Sequence, residues 1–99
     1  MIVIINSRAH IFVTGKVQGV LFSMETFYQA KNENVLGWVR NRLDGRVEAI
    51  FEGNKENVEK MVEFCKKGPK GAIVNYIKVT WEEYVGKFQD FQISWTFFL

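Results

Sequence analysis

The sequence holds one cysteine, one histidine and one proline in 99 residues. A single cysteine excludes an intrachain disulfide and a thiolate cluster for zinc. A single histidine excludes a His-based metal site, and any Ser-His or Cys-His pair would have to include His10. Neither a thiolate-bound nor a histidine-bound metal is therefore expected. Long apolar runs are also absent. Met1-Ile2-Val3-Ile4-Ile5 is ended by Asn6-Ser7-Arg8, whereas a membrane span needs about 20 apolar residues. That run is too short for the core of a signal peptide and no basic residue precedes it, so a cytoplasmic protein without a membrane partner is expected. An excess of either sign of charge is missing as well: 13 Lys and Arg stand against 11 Asp and Glu, a balance that does not call for a nucleic-acid partner.

Large apolar side chains are plentiful, with nine Phe, three Trp and three Tyr, enough to give a short chain a dense core. The length allows one domain, 1–99, and no second folding unit. Ala9, Ile11 and Val13 alternate with polar or aromatic neighbours and predict a strand, which Gly15-Lys16-Val17-Gln18-Gly19 interrupts. A helix is expected from about Phe22 to Asn32, with Met24, Phe27 and Tyr28 at helical spacing. Leu36 to Asn41 and Arg46 to Glu52 form a strand pair around the Leu43-Asp44-Gly45 turn, the second placing Val47, Ala49 and Phe51 on one face. Asn54 is an N-cap candidate. The stripe Val58, Met61, Val62 and Cys65 predicts an amphipathic helix over 55–67, with Glu56–Lys60 and Glu63–Lys67 as outer pairs. Gly68-Pro69-Lys70-Gly71 stops it. Ile77, Val79 and Trp81 alternate in a strand at about 74–83, and Phe91, Ile93 and Trp95 in a last one. The order βαββαβ plus a C-terminal strand predicts a ferredoxin-like α+β sandwich, an antiparallel sheet with both helices on one face because both crossovers are right-handed.

Between the first strand and first helix lie Gly15, Lys16, Val17, Gln18, Gly19, Val20, Leu21, Phe22 and Ser23. Two glycines let successive backbone N–H groups turn into one concavity, and the helix N-terminus behind them adds free donors and partial positive charge, the makings of an anion cradle. The plainer reading is a strand-to-helix turn that needs two glycines for its geometry.

The run Gly-Lys-Val-Gln-Gly-Val-Leu-Phe at 15–22 resembles the signature loop of the acylphosphatase family. Gly37-Trp38-Val39-Arg40-Asn41 followed by Asp44-Gly45-Arg46-Val47-Glu48-Ala49 resembles its second motif, and Gly68-Pro69-Lys70-Gly71-Ala72 its loop before the fourth strand. The resemblance covers roughly residues 7 to 95. It implies a ferredoxin-like fold and hydrolysis of acyl phosphates to carboxylate and phosphate without metal or cofactor, by a monomer acting on a small-molecule acyl phosphate. It also implies roles: amides of 15–22 bind the substrate's phosphate, and Asn41 positions the attacking water. The family's loop ends in an arginine that grips the phosphoryl oxygens, and the matching residue here is Ser23.

A guanidinium offers planar, charged, paired donors to two phosphoryl oxygens, and a serine offers one neutral donor. Catalysis by Ser23 itself, as a nucleophile, lacks a base, since His10 lies on the first strand. Arg8, Arg40, Arg42, Arg46 and Lys16 are the cations available to substitute, and each reads as a solvated surface charge. His10 reads as a strand residue with its ring at the sheet surface, Cys65 as an inert core thiol, and Trp38, Trp81 and Trp95 as packing residues. The leading expectation is an acylphosphatase-like hydrolase with activity weakened at Ser23. The alternative is a non-catalytic domain of the same fold that binds phosphate or another anion. A third possibility, an RNA-binding domain of this topology, needs aromatics on the third strand, where Arg46 to Phe51 has one aromatic and a mid-strand glutamate.

Overall fold

The computed structural model describes residues 1–95. Its elements are β1 (Asn6–Lys16), α1 (Phe22–Asn32), β2 (Leu36–Asn41), β3 (Val47–Asn54), α2 (Lys55–Lys67), β4 (Ile73–Glu82) and β5 (Phe91–Ile93). The sheet order is β4-β1-β3-β2-β5, the ferredoxin-like arrangement with an added strand. β1, β2, β3 and β4 pair antiparallel, as expected, while β5 runs parallel to β2 and makes the sheet mixed. One consequence places the site: β1, β2 and β5 all run in the same direction, so their C-terminal ends meet at one end of the sheet.

The helices cover the sheet face carrying Ala9, Ile11, Val13, Val39, Val47, Ala49 and Phe51, all at most 1% exposed. α2 contributes Val58, Met61, Val62 and Cys65, as its stripe predicts. Burial pushes the Cys65 thiol up to about 12, so it is inert at neutral pH. α1 buries Phe22, Thr26 and Ala30 instead of the expected Met24, Phe27 and Tyr28. Small residues at i+4 and i+8 let this helix approach the sheet closely, which leaves Met24 and Tyr28 outward and Phe27 half-buried against Phe91. Asn54 caps α2 by accepting from the Glu56 amide at 3.0 Å. The outer ion pairs differ from the spacing rule: Glu63 takes Lys66, and Lys60 reaches across to Glu33, the residue that caps the end of α1.

Gly15 does not end β1. The strand continues to Lys16 through a register shift between Thr14 and Gly15. A Cβ at Gly15 would fall 2.0 Å from the Ile73 carbonyl oxygen, and its φ is +141°. Only glycine lets the two strands close there.

The other face of the sheet is not a solvated surface. Glu48 and Glu52 on β3 are 4% and 1% exposed. Glu48 accepts from His10 Nε2 at 2.5 Å, from Arg40 Nε and Nη2 at 2.9 and 2.6 Å, and from Arg42 Nη1 at 2.8 Å. Glu52 accepts from Arg8 Nη1 at 3.1 Å and from the amides of Val85 and Gly86, which ties the β4–β5 connection across this face. Arg8 and His10 also meet Glu82 on β4, at 2.9 and 3.1 Å. Burial alone would raise the Glu48 carboxyl, but the bonds from His10, Arg40 and Arg42 hold it below the usual carboxylate range. The reading of Arg8, Arg40 and Arg42 as solvated cations is thus corrected. Arg46 pairs with Asp44 in the hairpin turn, and the other three lie flat on a lattice of carboxylates that alternation alone does not reveal.

Candidate functional site

β1 delivers the chain into residues 17–21, and α1 carries it away. Val17 is fully buried and Phe22 is 1% exposed, so both ends of the loop are pinned in the core. Gly68 would place a Cβ 3.2 Å from Phe22 Cε2, so the loop after α2 packs under the start of α1. Between the pinned ends the backbone turns left-handed twice, with φ of 74° at Gly19 and 60° at Leu21. Leu21 is the N-cap residue and its side chain offers no capping bond. The first intrahelical bond runs from the Glu25 amide to the Leu21 carbonyl at 2.9 Å. The amides of Phe22, Ser23 and Met24 therefore lack an intrahelical acceptor at the positive end of the helix dipole.

Gln18 does something other than donate its backbone alone. Its side-chain amide donates to the carbonyls of Arg42 and Arg46 at 2.7 and 2.9 Å, fastening the loop to the β2–β3 hairpin. This bond sets the loop beside Asn41, the last residue of β2. Ser23 Oγ donates to Asn41 Oδ1 at 3.0 Å, so the two positions that the motifs single out are in direct contact.

A cavity of about 240 Å³ opens here, lined by Val17, Gly19, Leu21, Phe22, Ser23, Met24, Asn41, Ile93 and Trp95. Of the residues expected at the site, Val17, Gly19, Leu21, Phe22, Ser23 and Asn41 are brought together. Gly15, Lys16, Gln18 and Val20 do not line the cavity: Gly15 and Lys16 end β1, Val20 packs toward the core, and Gln18 turns to the hairpin. None of the nine lining residues is charged.

Met24, Ile93 and Trp95 were not anticipated. The parallel register sets Val39 opposite Ile93, and the Ser94 amide donates to the Val39 carbonyl at 2.8 Å. Trp95 therefore lands beside Asn41 at the open end of β2. Trp95 is 75% exposed and Trp81 is 49% exposed, which corrects the reading of both as packing residues. Trp38 lies half-buried under the Arg40 guanidinium, 4.6 Å from its ring centroid. Alternation identified Phe91, Ile93 and Trp95 as sharing a face, but the partner strand of β5 was the missing information. Among the described residues no group of three or more His, Cys, Asp or Glu could hold a metal ion, and no helix is long and apolar enough to cross a membrane.

These features define a ferredoxin-like α+β domain whose loop between β1 and α1 opens a helix N-terminus toward the end of β2. Known families and solved structures give the same class a name. The acylphosphatase family model matches residues 9–93, and the chain belongs to that family. The acylphosphatase of Pelotomaculum thermopropionicum is 51% identical over 89 residues, which cover 90% of this chain and 97% of the relative. That of Pyrobaculum arsenaticum is 52% identical over 92 residues, covering 92% and 97%. The crystal structure of acylphosphatase from Bacillus subtilis superposes with a TM-score of 0.85 at 35% identity, covering 90% of this chain and 99% of that one.

Proposed function

We propose that the protein is an acylphosphatase-type hydrolase whose turnover is weakened by Ser23. The observation that carries this reading is that Phe22, Ser23 and Met24, whose amides precede the first intrahelical bond, line one cavity together with Asn41. The phosphoryl group of an acyl phosphate sits against the loop and helix amides, which favour an anion by hydrogen bonding and by the helix dipole. Asn41 orients a water for in-line attack. A P–O bond forms to the water oxygen while the bond from phosphorus to the acyl oxygen breaks. The carboxylate leaves with that electron pair, and both protons of the water stay on the product, dihydrogen phosphate.

Ser23 is the weak element. Charge on the transferring phosphoryl group needs stabilisation in the transition state, and the residues lining the cavity provide no cation. Arg8, Arg40 and Arg42 are committed to carboxylates of the opposite face. Ser23 also spends its proton on Asn41 Oδ1, which restrains the amide that should turn toward water. That contact favours the second reading, a domain that binds phosphate or another anion at the same amides with no turnover.

Acyl phosphate hydrolysis separates the two. Ser23→Arg is expected to raise the rate over the unmodified protein by at least about 10²-fold, the scale of one preorganised donor, and Asn41→Ala in that background should remove the gain. If the unmodified protein already turns over at a rate that Ser23→Arg leaves unchanged, Ser23 is not the weak element. If neither form exceeds the buffer rate but both bind inorganic phosphate, the anion-binding reading holds.

A further inference from the structure

We infer that the apolar part of the cavity is an acyl pocket, which selects acyl phosphates whose acyl group is bulky, apolar and uncharged, with Trp95 as its specificity-determining wall. The inference rests on the reading above that the loop and helix amides hold the phosphoryl group.

The lining divides by chemistry. Gly19, Ser23 and Asn41 supply the polar groups; Leu21, Met24, Ile93 and Trp95 supply apolar surface. Single exposed apolar residues are ordinary on a protein. Here Leu21, Met24 and Trp95 are 69%, 36% and 75% exposed, and all three converge on one concavity beside the Ser23–Asn41 pair. A small adjoining recess of about 40 Å³ is bounded by Ser23, Asn41, Ile93, Ser94 and Trp95, so the indole stands next to the atoms assigned to the chemistry. The residues just before it are held by the pairing of β5 with β2 and by the bond from the Ser94 amide to the Val39 carbonyl.

Size and charge then choose the acyl group. An apolar cavity of about 150 Å³ accepts a benzene-sized ring, so a cavity of about 240 Å³ takes a ring together with part of the phosphoryl group. An acetyl group would leave the Trp95 and Met24 side of it unfilled. An acyl group bearing a second carboxylate or phosphate would bring that charge against Leu21, Met24, Ile93 and Trp95 with no cation among the described lining residues to meet it, an uncompensated desolvation.

Binding of hydrolysis-resistant phosphonates tests this without requiring turnover. Titration calorimetry on the whole chain would compare inorganic phosphate, acetonylphosphonate, phenacylphosphonate and a ketophosphonate ending in a carboxylate. Phenacylphosphonate should bind at least about tenfold tighter than acetonylphosphonate, the lower end of what one methylene-sized difference earns in an apolar pocket. The carboxylate-bearing analogue should bind no tighter than acetonylphosphonate. Trp95→Ala should collapse the phenacyl-to-acetonyl ratio, and Trp95→Phe should keep most of it, which guards against a folding defect as the cause. Equal affinities for the two ketones in a protein that binds phosphate would overturn the acyl pocket and leave the phosphate cradle standing. A phenacyl preference that survives in Trp95→Ala would overturn the role of Trp95. Absence of binding by phosphate and by every phosphonate would overturn the cradle, and the acyl pocket with it.

Discussion

Replacing Glu48 with alanine would probe the charged face of the sheet, which supports Asn41 from behind. The Glu48 side chain is 5% exposed, and its neighbours Arg40 and Arg42, on either side of Asn41, are 13% and 11% exposed. Truncation removes the carboxylate from four donors at 2.5–2.9 Å and strands two guanidinium groups where little water reaches them. Breaking a buried ion pair in this way costs about 3–5 kcal/mol. The lower end applies, because Arg42 keeps Asp44 at 3.1 Å and Arg40 keeps the Trp38 ring. A loss of about 3 kcal/mol is a large share of the roughly 5–15 kcal/mol that holds a domain of this size. It should lower the Tm by about 12–24 °C at about 4–8 °C per kcal/mol. Urea denaturation followed by circular dichroism measures it, with Glu48→Gln as a control that keeps the shape and one acceptor and should cost less. In a double-mutant cycle with Arg40→Ala, the two losses should sum to more than the double mutant shows. A Glu48→Ala cost below about 1 kcal/mol, the range of exposed pairs, would refute the reasoning.

Acid should act through the same carboxylates. Glu48 and Glu82 are both held below their ordinary value of 4.5, Glu82 chiefly by its bond from Arg8. In that window the unfolded chain binds more protons than the folded one, so stability rises with pH. It is complete above about pH 4.5 and is lost as pH falls through the depressed values; denaturation midpoints between pH 2 and 6 should show this, with a shallower slope in Glu48→Gln. Gln18→Ala would leave the carbonyls of Arg42 and Arg46 without their side-chain donor, at a cost of about 1–3 kcal/mol. It should also weaken phosphate binding, read from amide shifts of residues 17–22, because the loop loses its fastening to the hairpin that carries Asn41. Unchanged phosphate affinity would show that the pinned ends at Val17 and Phe22 suffice to hold the loop.

The stripe on α2, the Asn54 cap and the Asp44-Gly45 hairpin were legible because each is decided within a few residues: by side-chain period, by one capping oxygen, by one turn conformation. The stripe on α1 was not, since Met24, Phe27 and Tyr28 have the right spacing but the close approach of the sheet selects Thr26 and Ala30. Asn41 and residues 15–22 were found through their motifs, and Ser23 through its departure from the motif. The contact between Ser23 and Asn41 joins residues 18 apart in sequence, and neither one's local pattern contains it.

The sequence by itself determined the element order, which faces of β1, β3 and α2 are apolar, and the presence of a glycine loop ahead of a helix, because periodicity and backbone freedom are local properties. Only the tertiary structure decided that β5 runs parallel to β2 and sets Trp95 at the mouth of the cavity. It alone decided that Gln18 spends its side chain on the hairpin, and that Arg8, Arg40 and Arg42 lie paired on a buried face instead of in solvent. The Gln18–Arg42 bond and the Arg8–Glu82 pair join residues 24 and 74 positions apart, and a partner at that distance is chosen by the packed sheet, not by the residues on either side.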